Sequence, residues 1–225
     1  MDIAALVLGG VVYLADPAEP SGRRWVPVPG LRSFYLLPRK AQQNQRQRWI
    51  SALGIAGVRS GAGYDFPALV TPHGLNQLVE FALARFAHET GVTVARGGLI
   101  VTAHSGGGAA LRRMLRHTDP DRIHVFDGLY GEPEPFAAWA RDHIRRGAGA
   151  LRVMFTHNSG TEGNSLALHR AISSALSTSD NGERLAGRFR VERTSVNHHH
   201  IPQRYGTILL ADSAAELPEV TTASG

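Results

Sequence analysis

A chain of 225 residues, 43% hydrophobic and 19% charged, is long enough to bury a substantial core and is read as one α/β domain over 1–225. With no cysteine it has no disulfide and no thiolate metal site. The formal charge of +5 rests on 24 basic residues, of which Lys40 is the only lysine; the arginines are scattered over polar helix sides, without like-charge blocks or alternation with aromatics, so no nucleic-acid partner is expected. Heavy use of arginine and alanine with a single lysine points to a GC-rich bacterial source.

The first apolar stretch, IAALVLGGVVYLA (3–15), is too short to span a bilayer, and Asp2 stands where a signal peptide would carry a basic residue. It is read as a buried strand over 4–8 ending at Gly9-Gly10, in a chain with no membrane span and with the cytoplasm favoured. A second strand is expected at 33–38, closed by Pro38, and 40–72 reads as an irregular, pocket-shaping insertion with a short helix. Residues 74–91 form an amphipathic helix, with Leu75, Leu78, Val79, Ala82 and Phe86 on one face and Gly91 at its end. From there strands at 97–103, 122–127, 151–157 and 188–196 alternate with helices at 107–117, 135–146 and 163–177, and a last helix begins near Pro202. Such alternation predicts a mostly parallel sheet with helices on both faces. Ligands of such sheets gather at the carboxyl ends of the strands, where Ser105, Asp127, HNSGTEGN (157–164) and NHHHIP (197–202) fall.

The stretch LIVTAHSGGGAALRRML (99–115) puts a serine and three glycines where a strand gives way to a helix. A P-loop needs G-x-x-x-x-G-K-[ST], and no lysine lies near. A dinucleotide site has strand, glycines and helix in order, with Asp127 placed for a ribose, but the glycine spacing fails from either end: Leu111 stands where glycine or alanine is required, or Ser105 where glycine is. The third reading is a nucleophile elbow, AHSGG (103–107), of the G-x-S-x-G type with Ala103 for the first glycine. A serine on a tight strand-to-helix turn needs small neighbours, and the following amide, on Gly106, would face an oxyanion at a helix N-terminus. The elbow requires an acid and then a histidine later in the chain, and the closing strand runs into VNHHHIPQRYG (196–206). Clustered histidines also admit zinc. On an extended chain, however, only His198 and His200 share a side, and neither H-x-x-x-H nor H-E-x-x-H occurs, so no metal is expected.

Together AHSGGG (103–108), FDGLYG (126–131) and HHHIPQRYG (198–206) resemble segments of a bacterial branch of the α/β-hydrolase superfamily, over roughly 74–212. The resemblance implies a reduced α/β-hydrolase fold lacking the first two strands, and a serine hydrolase of esterase or lipase type, with amidase or peptidase action open, using a Ser-acid-His triad and no cofactor. Its partner would be a small-molecule or acylated substrate. Ser105 is the expected nucleophile. Asp127 is the favoured acid, on the FDGLYG-like segment, although the superfamily more often places the acid one strand later; Glu162 is the reserve. His198 is the favoured base, directly after the strand and before Pro202, with His199 next. The oxyanion hole is assigned to the amides of Gly106 and of Gly9 or Gly10, and His104 is a candidate pocket wall. The rival functions are an NAD(P)-binding oxidoreductase and a catalytically degenerate binding module.

Overall fold

The computed structural model describes residues 2–8, 12–14, 48–53, 69–80, 84 and 98–216. Its strands are β1 (Asp2–Leu8), β2 (Val12–Leu14), β3 (Arg48–Leu53), β4 (Leu99–His104), β5 (Arg122–Phe126), β6 (Ala150–Thr156) and β7 (Phe189–Thr194). The helices are α1 (residues 74–80), α2 (Gly107–Met114), α3 (Glu134–Arg146), α4 (Glu162–Ser177), α5 (Gly182–Leu185) and α6 (Ile201–Ala215), the last preceded by a 3₁₀ turn, His198–His200. The strands form one sheet in the order β2-β3-β1-β4-β5-β6-β7, parallel throughout except for β2, which runs antiparallel to β3 at the edge. The fold is therefore a mostly parallel α/β fold. No helix among the described residues is long and apolar enough to cross a membrane.

Both sides of β4, β5 and β6 are covered, and every residue of the three strands except His104 and Thr156 is buried. Side chains of a strand alternate between faces, and here the alternation separates two cores. Val101, Ala103, Ile123, Val125, Leu151 and Val153 pack with α1 through α4, joined by Leu75, Leu111, Trp139 and Leu168. The opposite face carries Phe126 and Met154, which meet Ile201 and Leu209 of α6. α3 stops at Gly147, whose φ of +71° forms a left-handed cap that returns amides to the last carbonyls.

Three elements depart from the sequence-based expectation. β3 lies inside 40–72, so that segment is not irregular throughout: RWISAL joins β1 in parallel register, Asp2 opposite Arg48 and Val7 opposite Leu53. Its arginine, serine and flanking glutamines hide any period-two pattern, and only the neighbouring strand decides it. β2 and α5, three and four residues long, are too short for periodicity to register. The expected strand at 33–38 and the Gly9-Gly10 turn lie outside the described residues.

The face beneath α6 turns polar toward the strands' starts. Thr102, His124 and Arg152 stand in one register row across β4, β5 and β6. His124 is wholly buried between the Thr102 hydroxyl (3.3 Å from Nδ1) and the Ser213 hydroxyl (2.8 Å from Nε2). Arg152 donates to Ser213 Oγ at 2.7 Å, which leaves the serine's own proton available to His124 Nε2. Arg152 also pairs with Glu216, and Arg122 donates to the Glu216 carbonyl at 3.0 Å. Burial, and then the charges of Arg152 and Arg122, push the His124 pKa from 6.5 down to about 3. The unfolded chain therefore binds a proton between those values that the folded one refuses. Stability from this group is complete above about pH 6.5 and is lost as pH falls toward 3, by an amount on the order of 5 kcal/mol at most. Urea unfolding between pH 7 and pH 4 should show this decline, and His124→Gln should flatten it whatever its effect at pH 7; an unchanged slope would contradict the assignment.

Candidate active site

The carboxyl ends of β4, β5 and β6 share a backbone feature that L-residues seldom adopt. Ser105, Asp127 and Asn158 have φ of +54°, +45° and +56°, in the left-handed region. Each conformation costs on the order of 1–3 kcal/mol and persists only where surroundings enforce it. For the first two the enforcing contact is the sheet itself. The Ser105 amide donates to the Phe126 carbonyl at 3.0 Å, and the Asp127 amide to the Met154 carbonyl at 2.7 Å. Each residue thus extends the ladder by one bond before the chain turns away. After Ser105 the chain enters α2, with the Gly108 amide turned back to the Ser105 carbonyl at 3.0 Å.

The glycines after Ser105 do more than relieve crowding around the serine. A Cβ on Gly108 would lie 1.9 Å from the Gly128 carbonyl oxygen, and one on Gly128 would lie 2.9 Å from the Ser105 carbonyl oxygen. The start of α2 and the segment after Asp127 are therefore in backbone-to-backbone contact, which sets the spacing between the Ser105 and Asp127 turns. Gly106 is buried at the helix entry, where an amide has no intrahelical acceptor.

Asp127 is 1% exposed, and each of its two carboxylate oxygens has two hydrogen-bonding partners within reach. Oδ2 accepts from Thr156 Oγ1 at 2.8 Å and from His198 Nδ1 at 2.8 Å. Oδ1 accepts from Thr161 Oγ1 and from Ser159 Oγ at 3.0 Å, the latter hydroxyl also lying 2.9 Å from the Thr156 carbonyl. Burial pushes the Asp127 carboxyl up, but the hydrogen bonds from Thr161, His198, Thr156 and Ser159 together outweigh it and hold the group below its ordinary value. An ionised Asp127 can only accept, so His198 carries a proton on Nδ1; in the neutral ring the lone pair is then on Nε2.

His198 opens the 3₁₀ turn that leads into α6, and its side chain remains 24% exposed. The three histidines are thus in a tight turn, not on the extended chain assumed from the sequence. His199 stands edge-on to His198 with ring centroids 5.0 Å apart, and its amide donates to the Asn197 side chain at 3.1 Å; its ring and that of His200 are exposed. His104, the residue before the serine, brings its ring to 4.7 Å from that of His198 and donates Nε2–H to the His198 carbonyl at 3.0 Å. Burial chiefly, and then the neighbouring His198 and His199, lower the His104 pKa against the opposing pull of the His198 carbonyl and Asp127.

The structure therefore brings Asp127 and His198 into direct contact, on the strand end next to Ser105. The Ser105 hydroxyl itself makes no hydrogen bond among the described residues; such links are often long before a substrate binds. Glu162 is elsewhere. It accepts from the Asn158 amide at 2.7 Å, pairs with His157 at 3.1 Å and Arg193 at 2.6 Å, and the first two contacts hold its carboxyl below the ordinary value. Gly9 and Gly10 lie outside the described residues. Among those described, no three His, Asp or Glu side chains form a metal-ligand set. A groove of about 620 Å³ between α3 and α4, lined by Arg141, Asp142 and Arg145 among others, includes none of the site residues.

Sequence reasoning missed the three hydroxyls around Asp127. A signal was present, since Thr156 ends the strand and Ser159 and Thr161 follow within five residues, but nothing in the sequence aims them at an acid on another strand. No known family, curated protein or solved structure matches the chain.

The glycine contact yields a direct test. Gly108→Ala forces a Cβ onto a carbonyl and should destabilise by at least about 2 kcal/mol in urea unfolding. Gly163→Ala, at a helical position with nothing within 4 Å, should be neutral or stabilise by up to about 1 kcal/mol. A Gly108→Ala variant as stable as the parent would refute the close approach.

Proposed function

We propose that the protein is a serine hydrolase that cleaves a carboxylic ester by an acyl-enzyme route, with Ser105 as nucleophile, His198 as general base and Asp127 as the orienting acid. The observation that carries this reading is the 2.8 Å contact between Asp127 Oδ2 and His198 Nδ1, beside a serine held at φ +54° on the adjacent strand end. The chain order Ser, Asp, His is the one expected of a nucleophile elbow at the rim of a parallel sheet. The resemblance to the α/β-hydrolase superfamily points the same way.

Chemically, Ser105 Oγ attacks the carbonyl carbon while His198 Nε2 takes its proton. Asp127 stabilises the imidazolium that forms without accepting the proton itself. The Gly106 amide, at the start of α2, is the assigned donor to the oxyanion. The protonated His198 then hands its proton to the leaving alcohol, and a water activated by the same nitrogen releases the acid. An amide substrate would follow the same steps. The nucleotide-binding alternative asks Asp127 to accept ribose hydroxyls, yet the buried carboxylate is already hydrogen-bonded by Thr156, Thr161 and His198.

Ser105→Ala should abolish labelling by a fluorophosphonate probe and reduce p-nitrophenyl acetate hydrolysis by about 10⁴-fold or more with the fold intact. Activity within tenfold of the parent sinks the reading. Asp127→Asn should lower kcat by about 10⁴-fold, because the amide cannot hold the required tautomer. Glu162→Gln should stay within about threefold, since Glu162 is engaged by His157 and Arg193. The reverse pattern would transfer the acid's role to Glu162. If neither substitution matters, NAD(P)H binding becomes the measurement that decides for the oxidoreductase.

A further inference from the structure

Outside the His–Asp pair, one hydrogen bond among the described residues joins the nucleophile's strand to the segment carrying the base. His104 and His198 are 94 residues apart in the chain, and the link runs from the His104 side chain to the His198 main chain. Resting on the hydrolase reading above, we propose that His104 is a positioning residue: through Nε2–H donated to the His198 carbonyl, it sets the place of the base relative to Ser105.

The contact with Asp127 fixes one ring nitrogen of His198 and leaves the backbone from which the ring hangs to other contacts. The turn His198–His200 satisfies its own amides internally, with the His199 amide on the Asn197 side chain and the His200 amide on the Asn197 carbonyl. Among the described residues, its polar contacts to the sheet are two, Asp127 to the His198 ring and His104 to the His198 carbonyl. The first holds the ring and the second holds the backbone from which the ring hangs. His104 directly precedes Ser105, so this tether is referred to the nucleophile itself.

The chemistry of the tether also fixes the state of His104. A carbonyl can only accept, so Nε2 bears the proton; a neutral ring then has its lone pair on Nδ1. Neutrality suits the proposed role. A charged ring centred 4.7 Å from His198 would oppose the imidazolium on which the reaction depends. The groups facing His104 are His198 and His199 from the turn and Asp127 from the end of β5.

A packing role and a tethering role are separable by substitution. Glutamine places its amide nitrogen near the position of Nε2, asparagine places it near Nδ1, short of the carbonyl, and leucine has no donor. With p-nitrophenyl acetate as the probe, His104→Leu and His104→Asn should lower kcat about 10- to 100-fold with KM within about twofold, as expected for a small misplacement of a reacting group. His104→Gln should recover to within about threefold of the parent, and the thermal midpoints of Gln and Asn variants should agree within a few degrees. If the leucine variant fails to fold, the contrast between Gln and Asn decides. Overturning results are Asn activity within threefold of the parent, Gln as slow as Asn, or a loss confined to KM. Ser105→Ala run alongside separates the two claims. An active Ser105→Ala removes the hydrolase reading and the role of His104 with it, whereas an inactive Ser105→Ala with unaffected His104 variants overturns the role of His104 alone.

Discussion

A carboxylate buried to 1% exposure, with no lysine or arginine paired to it among the described residues, must be satisfied by hydrogen bonds or be neutralised. Asp127 takes the first course, and the arrangement around it follows from that requirement. Its donors come from the end of β6, from the loop into α4 and from the turn before α6. Each of those segments is held where a lone pair of Asp127 waits. Removing one donor leaves part of a buried charge unpaired, which costs more than the net worth of the hydrogen bond lost. The cluster therefore both orders the rim and keeps the acid ionised against burial. Hydroxyls are suited to this task because they add no charge to compete with the imidazolium that His198 would become.

The left-handed turns supply the other half of the arrangement. A residue that extends the ladder with its amide and then turns to positive φ leaves its side chain at the very end of the strand. At β4 that side chain is a serine and at β5 an aspartate, on strands that are neighbours in the sheet. The contact of Gly108 with the Gly128 carbonyl locks the two turns together, since any side chain there would force the segments apart. Backbone strain at these two positions is thus a consequence of sheet pairing and close packing, both of which are in place before any substrate arrives.

The position of His198 depends on how α6 is docked. That helix meets the sheet through two chemistries in sequence. Ile201 and Leu209 sit on Phe126 and Met154 near the strand ends, whereas Ser213 and Glu216 meet His124, Arg122 and Arg152 toward the strand starts. Apolar contact alone would tolerate sliding. A buried row of donors and acceptors does not, because one step of slippage would strand an arginine and a histidine without partners. The register of α6 is set by that polar row, and the turn carrying His198 is its first consequence.

Much of this was readable in the residues themselves. The alternation of apolar runs and amphipathic helices after residue 74 follows from local periodicity, and it predicts a parallel sheet. The small residues around Ser105 announce a tight strand-to-helix turn because only small side chains fit there. What periodicity could not supply was pairing. β3 exists because β1 offers it a partner, and its own six residues carry no clear pattern. Which acid meets His198 was likewise a matter of three dimensions. Asp127 and Glu162 both follow strands in the chain, but the turn at His198 reaches one, while Arg193 and His157 occupy the other. The identity of single residues sets what each can donate or accept, so the sequence determined the candidate chemistry. Distances between strand ends are set by register, by glycine contacts and by the docking of α6, so the tertiary structure alone decided which of those candidates touch.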